Sequence, residues 1–264
     1  MEIDGRKIKA FRAEIWRFYK AHGRDLPWRR TRDPYRIFVS ELMLQQTQVA
    51  RALVRYPAFV RRFPDFTALS RAKKRNVLAA WQGLGYNRRA VALWNASKAI
   101  VRRHRGRLPR DEGSLIALPG VGKGTAGALR AFAYDLPAVF IETNIRRVFI
   151  HFFFPGKKNV SDAALMPFIE RALDRKRPRE WYSALMDYGA MLGGREKENP
   201  NVRSAHYKRQ GRFKGSRREL RGKVLAYLLA HQRASEKELS AKLGFPLLKT
   251  REAVASLKKD GLLP

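Results

Sequence analysis

Leu118-Pro119-Gly120-Val121-Gly122-Lys123-Gly124-Thr125-Ala126-Gly127 is a glycine-rich turn leading into a helical pattern. Two glycines one residue apart permit a tight turn, and the backbone N–H groups that open the next helix then point outward at its positive end, where an anion such as a phosphate is stabilised. A nucleotide-binding P-loop would need Gly at 117 and Ser or Thr at 124, after a strand. Ala117 and Gly124 occupy those positions, and no strand pattern precedes them. The turn therefore reads as a helix-hairpin-helix that grips a nucleic-acid backbone phosphate without reading bases.

The rest of the chain agrees with a helical reading. Ile8, Phe11, Ile15, Phe18 and Tyr19 recur at helical spacing, as do Leu78, Trp81 and Leu84. Pro34, Pro57, Pro64, Pro109, Pro119, Pro137 and Pro155 divide the sequence into segments of helical length. The apolar run Val148–Phe154, which could pass for a strand, stands alone among helices and is taken as a buried helical segment. The expected fold class is all-α. From Arg195 to Arg218 the sequence turns basic and polar with no apolar period, which predicts an extended linker. Beyond it, Arg218–Ala230, Ser235–Leu243 and Pro246–Lys259 form three amphipathic segments. Ser235 and Glu238 complete a capping box. The set is winged-helix-like, with a small helical packing module as the alternative.

Charge narrows the partner. The 264 residues include 56 basic and 23 acidic side chains, a formal net charge of +33, so a polyanion is expected, and double-stranded nucleic acid before a membrane. No window reaches the roughly 18 uncharged apolar residues that spanning needs. The N-terminal MEIDGRKIKAFRAEIWRF lacks the apolar core of a signal peptide, and the expected location is the cytoplasm, with the nucleoid. Cysteine is absent, which excludes disulfides, thiolate catalysis and clusters held by thiolates. The five histidines lack ligand spacing, so no metal site is expected.

Two acids sit in unusual company. Glu41 lies in Ser40-Glu41-Leu42-Met43-Leu44-Gln45-Gln46-Thr47-Gln48-Val49, and Glu142 in Ile141-Glu142-Thr143-Asn144-Ile145-Arg146-Arg147-Val148. A lone Glu on a helix usually faces solvent. Apolar surroundings would instead raise its pKa, and a desolvated carboxyl pair suits glycosidic cleavage: one acid protonates the leaving group, and one carboxylate faces the developing oxocarbenium ion.

Residues 15 to 194 resemble the helix-hairpin-helix DNA glycosylases, and among them the MutY-type adenine glycosylases. The matching pieces are Leu26-Pro27-Trp28-Arg29, Asp33-Pro34-Tyr35, Ser40-Glu41, Met43 to Val49, Trp81, Gly83-Leu84-Gly85-Tyr86, the hairpin, Asn144 with Arg147-Val148, and Met186-Asp187-Tyr188-Gly189-Ala190-Met191. The run MLQQTQV separates the adenine enzymes from their endonuclease III relatives. The resemblance implies an all-α, two-lobed helix-hairpin-helix glycosylase fold with a C-terminal winged-helix-like module. The core would be residues 1–215, with a lobe of 30–135 inserted between 1–29 and 136–215, and the module residues 216–264. It also implies base-excision repair of a mismatch or lesion in duplex DNA by a monomer. Glu41 would be the general acid and Glu142 the second carboxylate. Trp28, Arg29 and Asn144 would line the base pocket. Gln46 would fill the gap in the stack and Tyr86 would wedge beside the opposite base, while Gln45, Thr47, Arg89, Gly120, Gly122, Lys123, Gly124 and Thr125 would also contact DNA.

Three departures from the family pattern matter. The second acid is Asp in the family, but Glu142 here, followed by Thr143 in place of Gly. The family's four cluster cysteines are missing, with Gly193, Pro200, Arg203 and Arg209 near their spacing. The basic loop Arg203, His206, Tyr207 and Arg209 then either takes over DNA contact or is a solvated linker. No cofactor is expected beyond a monovalent cation at the hairpin. Finally, residues 216–264 stand where the family has its Nudix-like reader of 8-oxoguanine. Gly124, moreover, occupies the position of the catalytic lysine of bifunctional relatives, so a Schiff base is not expected and the enzyme would be monofunctional. Thymine or uracil removal opposite guanine and non-catalytic lesion binding remain open.

Overall fold

Helix signals in the sequence are met by helices in the computed structural model, which describes residues 4–195 and 199–263. In chain order they are α1 (Gly5–His22), α2 (Pro34–Leu44), α3 (Val49–Arg62), α4 (Phe66–Arg71), α5 (Lys74–Ala80), α6 (Arg88–His104), α7 (Glu112–Ile116), α8 (Lys123–Tyr134), α9 (Thr143–Phe153), α10 (Asp162–Ala172), α11 (Pro178–Arg195), α12 (Arg217–His231), α13 (Glu236–Leu243) and α14 (Leu247–Lys259). The described residues contain no strand, only an isolated bridge between Val160 and Ser204. Asp4, Asp65, Asp111, Ser161, Ser216 and Ser235 each accept a backbone N–H of the helix they precede, the usual remedy for the unpaired donors of a first turn.

Val148–Phe153 is helical, with Phe154 as the C-cap, and is buried apart from the half-buried His151 and Phe152; Phe149 and Ile150 are fully inside. One proline expectation fails. Pro57 lies within α3 and does not end it. Ala52, Tyr56 and Phe59 anchor the buried face of that helix while Pro57 is exposed, so solvent can satisfy the carbonyl its missing N–H leaves behind.

Contacts divide the chain into two units, with boundaries that differ from the expected ones. The first comprises residues 1–41, 109–117 and 121–209, and the second residues 42–108, 118–120 and 210–264. In the first unit α1, α9, α10 and α11 surround an aromatic core. Phe11 meets Phe149, Phe152 and Phe153 with ring centroids 5.1, 5.0 and 5.0 Å away, and Trp181 edge-on at 5.9 Å. Such pairs add to the area term of aromatic burial. In the second unit α4 packs on α6, and Trp81 is buried against Phe59.

The three C-terminal helices belong to that second unit. Helix α12 packs on α14, α13 and α5, Lys74 Nζ donates to Gly261 O at 2.9 Å, and Arg75 donates to Leu229 O. Residues 216–264 are therefore docked on the helical layer that includes α5. The expected linker is also packed over part of its length: Pro200–Arg203 is a 3-10 turn with Asn201 buried. Its residues 196–198 lie outside the described residues.

Candidate active site

Glu41 lies near the C-terminal end of α2, in the first unit. Glu142, in the same unit, is the N-cap of α9: its Oε1 accepts from Asn144 N at 2.7 Å and Ile145 N at 3.0 Å. The longer arm of Glu, compared with Asp, is thus used to fold back onto its own helix terminus, with Oε2 left over. Arg146, a possible structural partner for this acid, is instead taken by Asp162 through a two-pronged pair at 2.7 and 2.8 Å.

Both carboxyls are only partly exposed. Burial pushes Glu41 up to about 8, the neighbouring charge of Glu142 adds to the rise, and Arg29 opposes it. No hydrogen bond from the described residues contributes. Burial also raises Glu142, against the two backbone N–H bonds and the positive charges of Arg146 and Arg147. The two acids titrate as a pair, and the differences in their surroundings make Glu142 the member that ionises first and Glu41 the member that keeps its proton.

Arg29 and Trp28 lie in a short 3-10 turn, with Trp28 buried. Arg29 has its guanidinium engaged by the protein: NH1 reaches Asp187 Oδ2 at 2.7 Å and Arg24 O at 3.0 Å, and NH2 reaches Asp187 Oδ1 at 2.9 Å and Ser183 O at 3.2 Å. Arg24 joins through Nε at 2.6 Å and its backbone N–H at 2.8 Å. The Asp187 side chain is 1% exposed, so it is a buried anion held by two cations. In the sequence, Asp187 stands out only by its place in the Met186–Met191 run, and its partners lie too far along the chain to be read there.

Asn144 sits in the first turn of α9, its Oδ1 accepting from Arg147 NH1 at 3.0 Å. Helix α11 comes so close there that a Cβ on Gly189 would lie 2.5 Å from Asn144 O, far inside normal contact distance. Arg147 also donates to Gly189 O and, at 2.9 Å, to Asn199 Oδ1, and Asn201 Nδ2 donates to Thr143 O at 2.9 Å. Residues 199–201 are therefore closed against the start of α9, and residues 203–205 against the loop before α10 through Val160 N to Arg203 O and Ala205 N to Val160 O, both 2.9 Å. Arg203 is among the occupied groups, donating to Phe154 O at 2.8 Å, while His206, Tyr207 and Arg209 are exposed.

In the second unit the structure brings together Gln45, Gln46, Thr47 and Tyr86. Gln46 and Tyr86 are exposed and both adopt left-handed backbone conformations, φ 53° and 47°, which non-glycine residues rarely hold without support. Arg89 supplies the support, and its expected DNA contact is corrected on that ground. It is buried, and its guanidinium donates to Leu42 O at 3.0 Å, Met43 O at 2.8 Å, Gln45 O, Thr47 Oγ1 at 2.8 Å, Leu84 O at 3.1 Å and Gly85 O at 2.9 Å. Burial lowers its pKa to about 10. A guanidinium so enclosed ties two turns together and has nothing left for a phosphate.

The hairpin runs from α7 to α8. Gly120 has φ 80°, and a Cβ there would lie 2.8 Å from the Ala92 Cβ; Gln45 Nε2 reaches its carbonyl at 3.4 Å. Gly122 and Lys123 are exposed at the start of α8, and Gly124 and Thr125 are half-buried. A Cβ on Gly124 would meet Ile141 O at 3.5 Å, one residue before Glu142, whereas the Lys123 side chain is exposed.

The HhH-GPD superfamily of base excision DNA repair proteins matches residues 39–169. The chain is similar to the adenine DNA glycosylase of Mycolicibacterium smegmatis (strain ATCC 700084 / mc(2)155), 34% identical over 237 residues, covering 81% of this chain and 79% of that protein. It is also similar to the adenine DNA glycosylase of Buchnera aphidicola subsp. Baizongia pistaciae (strain Bp), 33% identical over 187 residues, covering 69% of this chain but 52% of that one, so the chain spans about half the length of some relatives it matches. Among solved structures, a thermostable thymine-DNA glycosylase superposes with a TM-score of 0.66 and 27% identity, covering 74% of this chain and 91% of that chain.

Proposed function

This chain belongs to the adenine DNA glycosylase family within the HhH-GPD superfamily of base excision DNA repair proteins, and from that premise we propose that it releases mispaired adenine from duplex DNA by hydrolysis. The observation that carries the reading is the carboxyl pair: Glu41 pushed up to about 8 beside an acid that two backbone N–H groups hold. Protonated Glu41 donates to a ring nitrogen of the flipped adenine; the C1′–N9 bond breaks and its electron pair leaves with neutral adenine. The Glu142 carboxylate faces the oxocarbenium charge. Water adds to C1′ and gives its proton to the Glu41 carboxylate, restoring the acid.

Gly124 offers no amine, so the abasic product is left uncut. Gln46 and Tyr86 enter the stack as the base leaves, and the hairpin amides around Gly122 hold a backbone phosphate. The enzyme works on mismatched duplex as a monomer without a resident cofactor, in the cytoplasm with the nucleoid; no helix of the described residues is long and apolar enough to cross a membrane. A second reading, thymine or uracil removal opposite guanine, is favoured by the similarity to the thymine-DNA glycosylase structure.

Single-turnover base release on duplexes with A·G, A·8-oxoguanine, A·C, T·G and U·G pairs, each with and without alkali, separates these readings. Release from the adenine pairs, with strand cleavage only after alkali, is expected. Preferential release from T·G or U·G would establish the second reading. Glu41→Gln should lose at least about 100-fold in rate with duplex binding within a few fold, and release above about a tenth of the wild-type rate would move the acid elsewhere.

A further inference from the structure

Tyr86 is 40% exposed at the tip of its turn, with its backbone held by the Arg89 guanidinium. Its hydroxyl is engaged by a residue from a distant part of the chain: Gln210 Nε2 donates to it. Gln210 opens the segment by which the chain enters the second unit for its C-terminal part. The segment is held by Arg218, which donates to Gly211 O at 2.7 Å, and residues 208–214, including Arg212, Phe213 and Lys214, are exposed.

With Nε2 on the tyrosine hydroxyl, Oε1 of Gln210 has no protein donor among the described residues. An amide carbonyl without a donor beside an exposed aromatic tip is an acceptor facing whatever that tip meets. Resting on the base-excision reading above, we propose that Gln210 is a specificity-determining residue, its Oε1 accepting a hydrogen bond from the 2-amino group of a guanine left opposite the excised base. Aromatic and apolar wedges commonly enter a duplex from the minor groove. On that edge A·T and T·A pairs present acceptors alone, and guanine adds the one donor, its 2-amino group. An acceptor carried next to the wedge therefore selects guanine.

The test uses the full-length protein and adenine placed opposite guanine, inosine or cytosine, with single-turnover release measured for wild type, Gln210→Ala and Gln210→Glu. Inosine is guanine without the 2-amino group. Its substitution should slow wild type about three- to tenfold, the value of one hydrogen bond, and leave Gln210→Ala unaffected. Gln210→Glu keeps an acceptor and should keep the guanine preference. The exposed position predicts unchanged melting for both variants. A guanine-to-inosine ratio in Gln210→Ala equal to that of wild type, or a Glu variant without the preference, would overturn the assignment. No release by wild type from any adenine duplex would instead overturn the reading on which it rests.

Discussion

The Glu41 carboxyl has no hydrogen bond from the described residues, and Glu142 Oε1 has two from its own helix. The asymmetry predicts a pH profile. Glu41 is raised above its ordinary range, so it is protonated below about 8 and ionised above. Single-turnover release should fall about tenfold per unit above about 8, and fall again at lower pH as Glu142 is protonated. Stability has the same sign: a folded-state pKa above the unfolded one favours the fold at low pH and loses that advantage as pH rises from the ordinary carboxyl range to about 8. Glu41→Gln should accordingly melt a few degrees above wild type at pH 9 and with it at pH 4; equal melting at both would deny that the carboxylate is costly. Glu142→Asp and Glu142→Gln can both cap α9, so they isolate charge. The Asp variant should remain active and the Gln variant nearly inactive, whereas a Gln variant as fast as wild type would reduce Glu142 to a cap.

At this scale the two acids were legible because each lies in apolar or amide-bearing sequence. The cap was not, since Glu is not among the residues that usually precede a helix. Nor was the Arg29–Asp187 pair, whose members are 158 residues apart.

Two turns and one guanidinium make up the most constrained element. Lysine at position 89 keeps a charge but replaces the flat fork by a point donor, unable to reach acceptors on both turns. Arg89→Lys should cost about 2–4 kcal/mol in denaturant unfolding. Base release should slow more than binding to matched duplex, because Gln46 and Tyr86 lose their backbone support while phosphate contacts remain. Loss of stability with unaltered release would make Arg89 a purely structural residue. Its burial could not be foreseen, because an arginine just after a glycine-rich turn of a basic protein reads as a surface cation. The helices themselves were plainer. Ser235 with Glu238 marked the start of α13, and the structure shows Ser235 accepting from Glu238 N at 3.1 Å. Pro57 misled because a proline disrupts only the face on which its ring and the freed carbonyl lie.

Across the whole molecule, the sequence marked an extended linker before a C-terminal module without saying what that module packs on, and the contacts place it on α5 within the second unit. Composition and linker polarity carry no information about what a helix packs on. Leu220, Val224, Leu225, Leu239, Leu257 and Leu262 are buried, so deleting residues 216–264 would remove the packing of α12 on α5 and expose apolar surface. The truncated protein should melt roughly 10 °C lower, a loss of about 3–4 kcal/mol, and bind a hydrophobic dye; an unchanged melt would deny that the module contributes to the second unit's core. The carboxyl pair, meanwhile, is built wholly within one unit, while Gln46, Tyr86 and Gln210 belong to the other. Mutation can therefore explore the second set without disturbing proton transfer. A lineage could drift toward a new opposing base while its chemistry stayed intact, so that descent with altered preference requires no inactive ancestor along the way.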